Sequence, residues 1–223
     1  MILTNRTFKR NQPSKDAKSL YVFCEGAKRE YQYFNFFKEI DSRINIVVYK
    51  LQEDENNSPK GLFEIAQKSV LKSPANPNPK YSFQKNDEVW LVMDIDKDKL
   101  NTRLPQIFSI RAKCEEYDSW YVTLSNPCFE VWLYYHLKDL KPRFKGDEYC
   151  TNWKSFVNEV VIGGFDSRRH PIFLGRAAEK AESSYESEND LPDIGSTEIF
   201  RLSRSIFPLV EKKIEGIITS YDL

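Results

Sequence analysis

The chain has 223 residues, with 33 Lys and Arg against 33 Asp and Glu, 40% hydrophobic and 14% aromatic residues. That size and apolar content suit one packed domain, or a domain with a helical appendage, and exclude wholesale disorder. A net charge of zero excludes a uniformly basic nucleic-acid coating protein, but not a local basic patch or an acidic pocket that needs a cation.

Residues 1–18 read as a flexible basic arm: Arg6, Lys9, Arg10, Lys15 and Lys18 face only Asp16, and Pro13 interrupts any helix. The arm lacks the long apolar stretch of a secretory signal, and runs such as Ile46–Tyr49 are too short to span a bilayer, so a cytoplasmic chain with no membrane association is expected. Leu20–Cys24 is a β-rich run ending at the turn Glu25-Gly26. Tyr31, Phe34, Phe37 and Ile40 then recur at three-residue steps and predict a helix from Ala27 to Ile40. Ile44–Leu51 is a second strand, and Pro59 opens a helix to Val70. Residues 73–87, with three prolines, form a long loop. Glu88–Met93 is the most strand-like segment and runs into Asp94-Ile95-Asp96. A helix over 104–117, a strand over 120–124 and a helix from Phe129 to Leu137 complete the alternation. Beyond it, 152–162, 172–188 and 197–220 read as helices.

Continuous apolar strands alternating with helices imply an α/β fold, with a mostly parallel four-stranded sheet covered on both faces. The expected organisation is the arm at 1–18, an α/β core at 19–137 and a helical extension at 138–223 packed on that core. Cys24, Cys114, Cys128 and Cys150 form no CxxC pair, and buried free thiols in a reducing compartment are the reading they support.

In a parallel α/β sheet, ligands bind outside the carboxyl ends of the strands. Glu25 follows the first strand, with Glu30 early in the next helix; Asp94 and Asp96 follow the third; Ser125 and Asn126 follow the fourth, with Glu130 in the next helical turn. An Asp-x-Asp pair alone means little, since 14 Asp in 223 residues give about one by chance. Its place directly after a strand is what lifts it. Carboxylates crowded at one sheet edge repel, and such a cluster persists mainly when a divalent cation neutralises it; oxygen ligands favour Mg²⁺ or Mn²⁺ over zinc. An EF-hand loop from Asp94 fails, because its sixth and twelfth positions hold Lys99 and Pro105. An aspartyl-phosphate phosphatase also fails, because its Asp-x-Asp would follow the first strand.

Three segments, Cys24-Glu25-Gly26-Ala27-Lys28-Arg29-Glu30-Tyr31-Gln32-Tyr33-Phe34, Trp90-Leu91-Val92-Met93-Asp94-Ile95-Asp96 and Ser125-Asn126-Pro127-Cys128-Phe129-Glu130-Val131-Trp132, resemble the RloB-like family of small Toprim proteins found beside restriction and phage-defence genes. The turn Gly195–Ile199 is similar to the family's C-terminal polar turn, while Arg29 stands where such proteins usually have Thr. The resemblance implies a Toprim-like fold in which Glu25, as metal ligand or general base, joins Asp94 and Asp96 in holding Mg²⁺ (or Mn²⁺). By analogy with nucleases of the OLD class, Glu30 and Glu130 would complete a second metal site. That arrangement suits attack of water on a phosphodiester of RNA or DNA.

Each assignment has a structural counterpart. Asp94 and Asp96 also suit a helix cap, Glu30 a solvated helix face, and Glu130 the positive end of a helix dipole. Lys28, Arg29, Asn126, Arg168 and Arg169 are the candidate phosphate contacts, although Asn126 also suits a turn and the Arg168-Arg169-His170 triplet a solvated loop. His136, beside Trp132 and Tyr135, reads as a structural histidine, and Tyr31, Phe34, Phe36 and Phe37 as core. The leading expectation is a Mg²⁺-dependent nuclease in anti-phage defence. Its rival is a non-catalytic or partner-regulated nucleic-acid-binding or sensor subunit of a defence complex; nucleic acid, an ATPase or restriction-system partner, and further copies of the chain in a homo-oligomer are the partners expected.

Overall fold

The computed structural model describes residues 8–95, 100–139, 149–160 and 164–221. Four strands, β1 (Lys18–Cys24), β2 (Ile44–Tyr49), β3 (Glu88–Asp94) and β4 (Trp120–Ser125), form an all-parallel sheet in the order β2-β1-β3-β4. Helices α1 (Arg29–Asn35), α2 (Pro59–Val70) and α3 (Leu100–Cys114) connect them. This is the α/β architecture expected, consistent with a Toprim-like sheet.

Alternation along the strands sorts the core into two layers. Leu20, Val22, Cys24, Trp90 and Val92 face a cluster shared with α1, with α4 (Glu130–Tyr135) and with α5 (Tyr149–Val160), α6 (Leu174–Ser183) and α7 (Ile199–Tyr221). Tyr21, Phe23, Val89, Leu91 and Met93 face the opposite layer, formed with α2 and α3. Burial on both faces explains why the strands read as unbroken apolar runs. The helices beyond 137 therefore complete the core of the sheet.

Several boundaries differ from the sequence reading, each for a local reason. The expected helix to Ile40 stops at Asn35, because Phe36, Phe37, Lys38 and Ile40 donate to carbonyls three residues back and Glu39 takes φ 62°. The helix expected from 104 begins at Leu100 and carries Pro105 internally. Residues 172–188 are not one helix: a 3-10 turn, His170–Phe173, precedes α6, and a short hairpin follows from β5 (Ser187–Glu188) and β6 (Leu191–Pro192). In the N-terminal segment, Phe8 packs edge-on against Phe36, Asn11 and Ser14 donate to the carbonyls of Glu39 and Ser42, and Lys18 already belongs to β1. No helix of the described residues is long and apolar enough to cross a membrane.

The strand order reverses at β1. The chain leaves β1 toward β2 on one side, and β3 returns on the other, so the crevice between the ends of β1 and β3 is a topological switch point.

Candidate functional site

Glu25 and Asp94 stand at that crevice. The Glu25 amide extends the ladder to the Val92 carbonyl at 3.1 Å, and the Asp94 amide donates to Glu25 Oε2 at 3.2 Å. Glu30, in the first turn of α1, is buried, and its carboxylate presses on Gly26: a Cβ at Gly26 would lie 2.0 Å from Glu30 Oε2. Glu130, in the first turn of α4, is 3% exposed. The ends of β1, β3 and β4 thus bring Glu25, Glu30, Asp94 and Glu130 to one edge. Asp96, the second acid of the Asp-x-Asp pair, lies outside the described residues.

The electrostatics record this crowding. Burial, then the charges of Glu30, Glu25 and Glu130, push the Asp94 carboxyl well above the usual carboxylate range, with Arg103 acting in the opposite direction. Burial, followed by Glu30 and Asp94, likewise raises the Cys24 thiol. Cys128 is raised by burial, Glu130 and Asp94. Glu25, Glu30, Asp94 and Glu130 offer hard carboxylate oxygens, the donor set that suits Mg²⁺ or Mn²⁺.

Two arginines occupy the acids. Arg29 Nη1 lies 3.2 Å from Glu130 Oε1. Arg103 Nη2 donates to Glu25 Oε2 at 2.5 Å and to the Asp94 carbonyl at 3.0 Å. Among the described residues, no three His, Cys, Asp or Glu side chains are placed to hold a metal ion together. The donor chemistry fits a hard cation, while the side chains as arranged are drawn toward arginine. Arg103 escaped the sequence reading. Its signal was there: 103, 107, 110 and 114 share one buried helical face, on which Arg103 is the lone charge.

The remaining candidates divide. Lys28 is exposed at the turn before α1. Asn126 serves the fold, with Nδ2 donating to the Pro192 carbonyl at 2.8 Å, its amide to Ser196 and its carbonyl accepting from Gly195. Arg168 holds Asp166 through Nε and Nη2, both at 3.0 Å, beside a cavity of about 570 Å³ against Gln32, Asn35 and Phe36. None of the four acids lines that cavity, and half-buried Arg169 lies in the same loop. His136 is structural: Nδ1 meets the Trp132 carbonyl and Nε2 the Tyr33 hydroxyl, both at 3.0 Å. Because a carbonyl only accepts, Nδ1 carries the proton and Nε2 accepts from Tyr33.

The turn Gly195–Ile199 pairs with the end of β4. Thr197 bridges Ser125, and Glu198 is 1% exposed, bonded to the Leu124 amide, Arg111 and Tyr185. A family model described as RloB-like protein matches residues 20–206, from β1 into α7. No curated protein and no solved structure matches the chain.

Proposed function

Because the chain belongs to the RloB-like family, we propose that it is a Mg²⁺- or Mn²⁺-dependent nuclease that hydrolyses phosphodiester bonds of RNA or DNA. The observation that carries this reading is the convergence of Glu25, Glu30, Asp94 and Glu130 from three strand ends on the switch point of a parallel sheet. Asp94, Glu25, Glu30 and Glu130, with Asp96 two residues on, would hold the cation. A bound divalent cation would supply charge stabilisation to the attacking and leaving oxygens of an in-line displacement.

The chain's own groups account for the rest. Burial and the neighbouring carboxylates make Asp94 costly to ionise without a cation, which suits it as a ligand, and Glu25 is the ligand or general base that the resemblance implies. Glu25 is oriented through Oε2 by the Asp94 amide and Arg103. Lys28 and Arg29, at the start of α1, offer cations to a phosphate on the same edge. The resemblance to a family found beside restriction and phage-defence genes supports a role in anti-phage defence.

A second reading has its own support. Both arginines already neutralise acids of the cluster, which suits a degenerate site that binds nucleic acid without cutting it, regulated by an ATPase or restriction-system partner. One assay separates the two. Purified protein is incubated with tRNA, single-stranded DNA and plasmid, with and without Mg²⁺ or Mn²⁺, beside Asp94→Ala. Cation-dependent cleavage that Asp94→Ala abolishes is expected; no cleavage under any cation, or equal cleavage by the variant, sinks the nuclease reading.

A further inference from the structure

Arg103 is an unusual residue to find on the buried face of α3. Ile107, Ile110 and Cys114 continue that face as apolar contacts, yet the Arg103 side chain is only 7% exposed. Desolvating a guanidinium is costly unless its donors are met. Nη2 is met twice, by Glu25 Oε2 and by the Asp94 carbonyl, whereas Nε is buried without a partner among the described residues. The fold therefore keeps an incompletely satisfied cation inside the acid cluster, where satisfying it would have stabilised the protein.

Glu25 shows what that cation does. Its Oε2 accepts from both the Asp94 amide and Arg103, which fills the two lone-pair directions of that oxygen. A metal ion cannot use Oε2 while both donors remain. Arg103 and a divalent cation would therefore compete for Oε2, and would repel each other as like charges if the cation took Oε1.

We propose that Arg103 is a positioning residue that serves as a built-in counter-cation: it holds Glu25 in the metal-free protein and leaves Oε2 when a divalent cation binds. Release frees its Nη2 and its unpartnered Nε to face a phosphate oxygen at the same edge. The inference rests on the acid cluster being a divalent-cation site, and it adds the group that sets the affinity of that site.

The test uses the full chain and Mn²⁺ alone, titrated by calorimetry and by the electron paramagnetic resonance signal of free Mn²⁺. Removing the competitor in Arg103→Gln is expected to tighten Mn²⁺ binding at least about tenfold and to enlarge the Mn²⁺-induced rise in unfolding temperature. Arg103→Lys keeps the charge, but its shorter side chain does not carry its nitrogen to the Nη2 position that meets both acceptors. Its affinity is expected between those of wild type and Arg103→Gln, which preserves the test if the Gln variant folds poorly. Unchanged or weaker Mn²⁺ binding in both variants, with wild type still binding in an Asp94-dependent manner, overturns the role of Arg103 and leaves the cation site standing. Absence of Mn²⁺ binding from wild type and both variants overturns the two together.

Discussion

The carboxylate of Glu30 lies so close to the α-carbon of Gly26 that a methyl group there would sit 2.0 Å from Oε2 and 2.2 Å from Cδ. The obstacle is the end of a side chain, not backbone, so Gly26→Ala would displace Glu30 while leaving the turn in place. This substitution moves an acid of the cluster without removing it. Gly26→Ala is expected to lower cation-dependent cleavage about tenfold or more, while unfolding free energy falls by no more than about 2 kcal/mol. Parallel urea titration and cleavage assays check this. Full activity in Gly26→Ala would place Glu30 outside the working site.

Asp94 offers the opposite signature. Its surroundings combine burial with the charges of Glu30, Glu25 and Glu130, and Arg103 opposes them. Asp94→Asn keeps the shape and removes one of the mutually repelling charges. Loss of outer-shell partners of a metal site commonly costs 10–100-fold, so loss of a ligand is expected to reduce cleavage by at least about 100-fold. In EDTA, the same variant is expected to be more stable than wild type by about 0.5–2 kcal/mol, the trade-off of a site built for function. A destabilised Asp94→Asn would mean that Asp94 is held by its neighbours and not opposed by them.

The sheet was legible because burial on both faces leaves strands as unbroken apolar runs, and because the acids follow strand ends in a fixed order. What resisted reading was decided by tertiary contact. The end of α1 depends on Glu39 adopting φ 62°, which no period in Phe34, Phe37 and Ile40 signals. The pairing of Thr197 with Ser125 joins residues 72 positions apart. Arg103 lay just outside the helix expected from 104, and it is the earlier start of α3 that brings it into register with Ile107 and Ile110 on the buried face. Asn126 followed a strand like the acids, but its amide holds the Pro192 carbonyl.

Glu198 belongs to the fold, and that is testable. Its Oε2 accepts from Arg111 at 2.6 Å and from the Leu124 amide at 3.0 Å, and its Oε1 from Tyr185 at 3.2 Å, tying α7 to the end of β4. Removing one partner of a buried ion pair typically costs 3–5 kcal/mol, so Glu198→Ala is expected to lose about 3 kcal/mol in urea titration. Glu198→Gln keeps most acceptor positions and should lose less. Folded Glu198→Gln should cleave at the wild-type rate; a large loss of activity with unchanged stability would move this acid into the site.

His136 makes the acid limb of stability predictable. Burial pushes its imidazole down to about 3, with the Trp132 carbonyl acting in the opposite direction. In the unfolded chain it would titrate near 6.5. Below pH 6.5 the unfolded state therefore binds a proton that the folded state refuses, so stability rises with pH between 3 and 6.5 and is complete above that window. One proton contributes a slope of up to about 1.4 kcal/mol per pH unit. His170, also lowered by burial, adds in the same direction. His136→Gln retains a donor for the Trp132 carbonyl and an acceptor for Tyr33. Its unfolding free energy between pH 7 and 5, above the range where most carboxylates titrate, is expected to depend less steeply on pH than that of wild type, with the His170 contribution left. Equal slopes in the two proteins would mean that His136 charges freely in the fold and that its contacts with Tyr33 and Trp132 do not hold it neutral.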